Sequence, residues 1–332
     1  MADLVAKARK IVGHYKHSST ASERLHQIQE EMGKEVLNLI QDVETRWNSE
    51  YLMLNRLIKN KEPVSRDLVS FGKIDNLTVS EWRLAEAYVK ILEPLYEATV
   101  EMCSSIMPTA SLVIPILYCI QEKLSAIIND EEGVGKMFSR QLLKSLRSRF
   151  PNSLKVDPYV TAMLTDPRFK DVALEPFERA ISLGSLKQRI MTAIGQSPSE
   201  TNQSKAQDEE DKSKSLWSIF KKAAAQKASE PQESTQLEIQ VDNEFKIYFA
   251  EQTIPPSEDP CAWWRENEGR FPLLKSIVRQ YLGIPATEVA SERTFSSAGN
   301  VVSPLRQRLS NEHVEELVFL HQNAKLLYDK LK

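Results

Sequence analysis

Apolar side chains return every three or four positions over most of the chain, the spacing that lays one stripe along an α-helix. Over residues 20–60 the stripe runs Leu25, Ile28, Met32, Val36, Leu39 and Ile40, then Tyr51, Leu54, Leu57 and Ile58. Two amphipathic helices are predicted, separated around residues 43–48. Pro63 is expected to end the second, because the residue before a proline is steered out of helical geometry. A longer helix is expected from Ser80 as N-cap to about Cys103, with Trp82, Leu84, Ile91 and Leu95 facing inward and a kink at Pro94. Leu112, Ile116, Ile120, Leu124 and Ile127 keep the same register over residues 109–130, so these two helices are predicted to pack as a hairpin. Residues 138–150 form another amphipathic helix, stopped by Pro151, and residues 162–173 are expected as a loop with turn chemistry at Asp166-Pro167.

At Gly195 the pattern stops. Residues 196–236 are so polar and charged that they cannot offset the entropy of ordering, and they are predicted to be a disordered linker. Within them Ser215-Leu216-Trp217-Ser218-Ile219-Phe220 reads either as a residual apolar turn or as a short docking helix. Helical spacing resumes over residues 237–250, and Pro255, Pro256 and Pro260 form a rigid connector ahead of a helix over residues 273–281. A final helix, residues 311–331, lines up Val314, Leu317, Val318, His321, Ala324, Leu327, Tyr328 and Leu331 on one stripe. The expected organisation is a helical domain at 1–195, the linker at 196–236 and a C-terminal region at 237–332. With only 10 glycines in 332 residues, the chain is poor in the residue that hairpins and phosphate loops require, which favours an all-α fold.

Charge and chemistry narrow the function. A formal charge of −3 from 43 basic and 46 acidic residues removes any global basic field, so a DNA contact has to come from a local patch. Three distant cysteines offer neither a disulfide framework nor a local zinc site, and point to a reducing compartment. The charged N-terminal residues do not read as a secretory leader, and the longest apolar stretch, near residues 111–120, is half a membrane span. A soluble, intracellular protein without a membrane partner is expected. No glycine-rich phosphate loop, no G-x-S-x-G elbow and no histidine cluster with ligand spacing occurs, so neither a cofactor, a metal nor a small-molecule substrate is expected.

One signature lies near the C-terminal end. Asp259-Pro260-Cys261-Ala262-Trp263-Trp264, Phe271-Pro272-Leu273-Leu274, Tyr281-Leu282-Gly283-Ile284-Pro285 and Ala290-Ser291-Glu292-Arg293-Thr294-Phe295-Ser296-Ser297-Ala298-Gly299 together resemble the dimerisation region of hAT-superfamily transposases. The likeness continues through Arg306, Leu309, Leu317, Phe319-Leu320 and Asn323. Upstream, Thr45-Arg46-Trp47-Asn48-Ser49 is similar to the family's Arg-Trp block, and Asp166-Pro167-Arg168-Phe169-Lys170 to its central block. Within the superfamily the chain is similar to the BED-type zinc finger proteins.

The resemblance implies the helical insertion domain of an RNase H-like transposase, joined to a dimerisation region. It implies homodimers or heterodimers with family members, DNA-bound ones, in the nucleus. Dimer contacts are expected from Trp263, Trp264, Leu273, Leu274, Tyr281, Phe295, Val314, Leu317, Val318 and Leu320. Two adjacent indoles on a helix point about 100° apart, so one of Trp263 and Trp264 is expected at a core and the other is free for an interface. Glu292 matches the family's third catalytic acid. The BED finger, the two strand-borne aspartates and the Cys-x-x-His block have no counterpart in this sequence, so Glu292 is expected to be silent and the chain not to be an enzyme. Weak DNA contact through Arg46, Trp47 and Asn48 is implied by the Arg-Trp block, since an indole face stacks on any base. A tryptophan between two amphipathic helices is more often a packing anchor, so core packing is the first reading for Trp47 and the DNA contact the second. Two other readings stand beside this one: a fragment or short isoform of an active transposase, and a helical scaffold without a DNA role.

Overall fold

The computed structural model describes residues 2–71, 74–104, 107–130, 133–151, 157–195, 232–301 and 309–330, and every regular element among them is helical. The chain folds into two compact units, one of residues 1–102 with 116–151 and one of residues 103–115 with 152–332.

The first unit holds α1 (Ala2–His17), α2 (Ser19–Glu31), α3 (Trp47–Lys59), α4 (Lys61–Phe71), α5 (Val79–Met102), α6 (Val113–Asp130) from residue 116 onward, and α7 (Gly133–Arg149). Helix α1, which the sequence reading did not anticipate, buries Leu4, Val5, Ala8, Ile11, Val12 and Tyr15 along one face. They meet Leu25, Met53, Leu54, Leu57, Val64, Leu68 and Trp82 in a single core. Each fully buried Leu, Val, Ile or Met side chain among them contributes about 1.5–3 kcal/mol.

Helix α2 stops well short of the predicted Ile40. Gly33 takes φ +63°, its N–H donates to the Glu30 carbonyl, and the Lys34 N–H donates to that of Gln29, so the chain leaves the helix axis there. Of Val36, Leu39 and Ile40, only Leu39 is buried. The irregular stretch beyond is held by buried Gln29, whose amide exchanges hydrogen bonds with the Leu37 backbone and donates to Asn60.

Pro63 does not end α3. That helix closes at Asn60, and Pro63 sits in the first turn of α4, where a missing N–H costs nothing. The start of α5 also differs. The cap is Thr78, not Ser80: Thr78 Oγ1 accepts from the Glu81 N–H and the Glu81 carboxylate accepts from the Thr78 N–H, a reciprocal capping box. The helix runs on through Pro94. It lies nearest α3 and α7, so the expected α5–α6 hairpin is a three-helix arrangement around Ile91, Ile120, Leu124, Ile127 and Leu143. Residues Ala110–Asp130 are long and apolar enough to cross a membrane by composition alone, more than the half span expected. Here Ile114, Leu117, Ile120, Leu124 and Ile127 are buried in protein.

The second unit holds a 3-10 turn (Ala110–Leu112), α8 (Asp157–Thr165), α9 (Pro176–Gly195), α10 (Gln232–Ala250), α11 (Pro260–Asn267), α12 (Pro272–Leu282), α13 (Val289–Val301) and α14 (Asn311–Lys330). Residues 162–165, expected in a loop, are the buried last turn of α8. One core joins Met163 and Leu164 of α8, Leu186 and Ile190 of α9, Val241, Phe245 and Tyr248 of α10, and Leu274, Ile277 and Tyr281 of α12. The expected boundaries at 195 and 237 therefore do not divide the cores, because the apolar faces of α8 and α9 are covered by helices beyond the polar tract. Helix α10 starts at Gln232, inside the expected linker; the rest of that tract, including residues 215–220, lies outside the described residues.

Candidate dimerisation surface and nucleic-acid contact

The second unit is tied together at its helix ends by polar side chains, most of them from the Asp166-Pro167-Arg168-Phe169-Lys170 stretch that follows α8. Asp166 accepts from the Arg168 backbone N–H (3.0 Å), from Arg168 Nε and Nη2 (3.0 and 2.7 Å) and from the Ser111 hydroxyl (2.6 Å). Arg168 also donates to the Pro108 carbonyl at 3.2 Å. Both side chains of this ion pair are fully buried, and each charge is satisfied by several partners.

Lys170 adopts φ +48°, a left-handed position that a side chain rarely takes, and its ammonium reaches the last turn of α10. There it donates to the carbonyls of Tyr248 (2.6 Å) and Glu251 (2.8 Å) and lies over the Tyr248 ring. A cation on the C-terminal carbonyls of a helix answers its dipole. Burial lowers the Lys170 pKa, opposed by the charges of Glu251 and Asp171. From the body of α10, Glu244 accepts from the N–H groups of Leu273 and Leu274 (2.9 and 3.0 Å) and so caps α12. The Trp264 indole donates to the Thr165 carbonyl at 2.9 Å, closing α8. Sequence reasoning missed Glu244 and read the 166–170 stretch as turn chemistry. The signal available was three charged residues within five positions between apolar neighbours.

This framework draws in half of the residues expected at a dimer contact. Trp263 and Trp264 meet edge to face at 5.1 Å, and both pack around Tyr248 and Phe271. Trp264 and Leu274 are buried, Trp263 and Leu273 are half-buried against the same core, and Tyr281 is buried and accepts from Arg189. The two indoles do diverge: Trp264 is buried, as expected of one of them, and Trp263 packs on the same aromatic cluster with part of its surface open. Trp264, Leu274 and Tyr281 are thus placed in the intrachain core, a correction to their expected role, whereas Trp263 and Leu273 keep an exposed part.

What stays most open lies on α13 and α14, which pack against each other. Val314 and Val318 are half-buried between them, whereas Phe295 is 76% exposed, Phe319 63%, Leu320 51% and Leu317 39%. Phe295, Ala298, Leu309, Val314, Val318 and Phe319 line a groove of about 650 Å³. Helix α13 runs through Gly299. Glu292 is exposed in the first turn of α13 and forms no ion pair among the described residues. No group of three His, Cys, Asp or Glu side chains that could hold a metal ion occurs among the described residues either.

In the first unit, the Arg-Trp block forms a tight loop into α3. The Ser49 hydroxyl accepts from the Val43 N–H (2.8 Å) and donates to the carbonyls of Val43 and Arg46 (2.9 and 2.6 Å). Arg46 holds the N-cap position with its side chain exposed, and Trp47, the first helical residue, is 46% exposed. The core-packing reading for Trp47 does not match this placement. Asn48 is half-buried, and its Oδ1 is buried without a hydrogen-bond partner.

Comparison with known proteins agrees with this architecture. Residues 244–324 match the hAT family C-terminal dimerisation region, and residues 1–91 match the ZBED1 RNase-like helical domain. The chain is 29% identical to human zinc finger BED domain-containing protein 4, over 98% of this chain and 27% of that protein. It is 28% identical to the putative AC transposase of Zea mays, over 83% of this chain and 36% of that protein. It is also 24% identical to human zinc finger BED domain-containing protein 6, over 97% of this chain and 35% of that protein. The chain thus spans about a quarter to a third of the length of these relatives. Helical throughout its described residues, the chain carries a match to the hAT dimerisation region behind a match to this helical domain and is similar to hAT transposases and BED zinc finger proteins.

Proposed function

We propose that the chain acts by association: α13 and α14 present an apolar face to a second copy, or to a family-related chain, at DNA in the nucleus. The observation that carries this is the exposure of Phe295, Phe319 and Leu320 inside the stretch that matches the dimerisation region. An isologous contact covers such a face with itself, and an interface of standard size takes about 800 Å² from each partner. Similarity to zinc finger and transposase proteins supports the nuclear setting. The described residues are read as catalytically silent, because a two-metal site needs several converging carboxylates and Glu292 stands apart from any such group.

Sedimentation of the purified chain at tens of micromolar tests the association. A dimer is expected, and Phe295→Asp with Phe319→Asp should leave a monomer with unchanged helical circular dichroism, since a charge cannot be buried at that contact without a partner. A monomeric wild-type chain overturns self-association and leaves pairing with a relative, which co-sedimentation reads directly.

A second reading is favoured by the exposure of Trp47 beside Arg46: a single base stacked on the indole, with its phosphate on the guanidinium. It concerns unpaired bases and is independent of the α13–α14 contact.

A further inference from the structure

We infer that the outward face of α7 is a contact surface for the phosphate backbone of duplex DNA. The helix reads GVGKMFSRQLLKSLRSR, with Lys136, Arg140, Lys144, Arg147 and Arg149 and no acidic residue, inside a chain whose formal charge is −3. The first four follow one another at spacings of four, four and three, which sets them on one face of the helix. Arg140, Lys144, Arg147 and Arg149 are exposed.

None of the five cations takes part in an ion pair or a side-chain hydrogen bond among the described residues. Elsewhere in the same unit several surface cations are matched, Lys7 with Glu81, Arg9 with Asp42, Lys61 with Glu86, Arg66 with Glu31 and Lys123 with Glu97, and the unmatched ones, such as Lys10, Lys59 and Arg83, do not follow one another along a single helix face. The helix dipole accounts for Arg147 and Arg149 in the last turn, but it opposes Lys136 near the first and is indifferent to Arg140. Fold stability therefore supplies no reason for the stripe.

Its geometry fits an extended polyanion. From Lys136 to Arg147 the helix rises about 16 Å, which faces roughly five phosphates of one strand at about 3.4 Å per step. Exposed Gln141 and Ser148 add neutral donors beside the stripe. A lipid surface is the wrong partner, because a helix lying in a membrane needs its apolar face free. In α7 most of that face is committed: Gly135, Ser139 and Leu143 are buried, Phe138, Leu142 and Leu146 pack on the core shared with α5 and α6, and the exposed apolar side chains, Val134 and Met137, are too few to form a membrane-binding face. The surface lies in the stretch that neither family match covers, residues 92–243, and involves neither Trp47 nor the α13–α14 groove. It extends the DNA part of the function proposed above and rests on that part for the choice of polyanion.

Fluorescence anisotropy of the full chain with a labelled duplex, measured across a range of salt concentrations, decides it. Replacing Arg140, Lys144 and Arg147 by glutamine together should weaken binding and make the slope of log affinity against log salt shallower by about three, near one per lost phosphate contact. The melting temperature should stay unchanged, since these side chains are exposed, and lysine in place of Arg140 and Arg147 should restore the slope. Trp47→Ala should leave the duplex slope as it is, so failure of the stacking reading is distinguishable from failure of this one. Absence of duplex binding by the wild-type chain overturns the inference. So does an unchanged slope in the triple variant, or competition by polyglutamate as strong as that by DNA.

Discussion

Asp166 and Arg168 show how a charge pair becomes structural when it is withdrawn from water. Arg168 reaches Asp166 through three nitrogens, and Ser111 supplies a further donor to the same carboxylate, so neither charge is left for solvent or ligand. Replacing one partner strands the other. Arg168→Ala is expected to cost about 3–5 kcal/mol in denaturant unfolding. Asp166→Leu combined with Arg168→Met should cost clearly less than the sum of the single substitutions, because the second change removes the charge that the first left bare. Additive losses would mean that the two residues act separately. The same logic explains why Trp264 cannot serve a partner chain: its indole N–H already closes the end of α8.

At the scale of elements, the box that starts α5 makes a pH-dependent contribution. The Glu81 carboxyl is held down to about 2, first by the Lys7 ammonium and then by the Thr78 N–H, against an ordinary value of 4.5. A depressed acid stabilises the fold above its unfolded value and ceases to do so as pH falls through its folded one. The melting temperature should therefore drop between about pH 5 and pH 2, and drop less in Glu81→Gln. Thr78→Ala should cost about 1 kcal/mol at neutral pH. An identical acid limb in wild type and Glu81→Gln would remove the box from the account. How far the sequence revealed its elements follows from the same residues. The periodic stripes gave α3, α5, α6, α7 and α12. The ends were harder to read, because Thr78 and Ser80 are equally good caps until Glu81 chooses between them, and Pro63 can close one helix or open the next. At the candidate site, burial separated residues that looked alike: Trp264 and Phe295 are both large aromatics in matched motifs, yet one is 6% exposed and the other 76%. That difference depends on α8, which lies about a hundred residues away in sequence, and on the aromatic face of α10.

At the scale of the whole molecule, cores and sequence segments do not coincide. Met163, Leu164, Leu186 and Ile190 belong to the stretch expected to fold by itself at 1–195, but Val241, Phe245, Tyr248, Leu274 and Ile277 complete their core. A chain cut after Gly195 should keep the helices of the first unit while α8 and α9 lose protection from hydrogen exchange and the product binds a hydrophobic dye. Full protection of α8 and α9 in that truncated chain would restore the original boundary. The shared core also has a consequence during synthesis. A ribosome that has just released α9 must add about 90 further residues before α12 follows, roughly 5 to 20 s at about 5–20 residues per second. For that interval the inner faces of α8 and α9 have no mate, and the growing chain offers them to whatever holds nascent polypeptides apart.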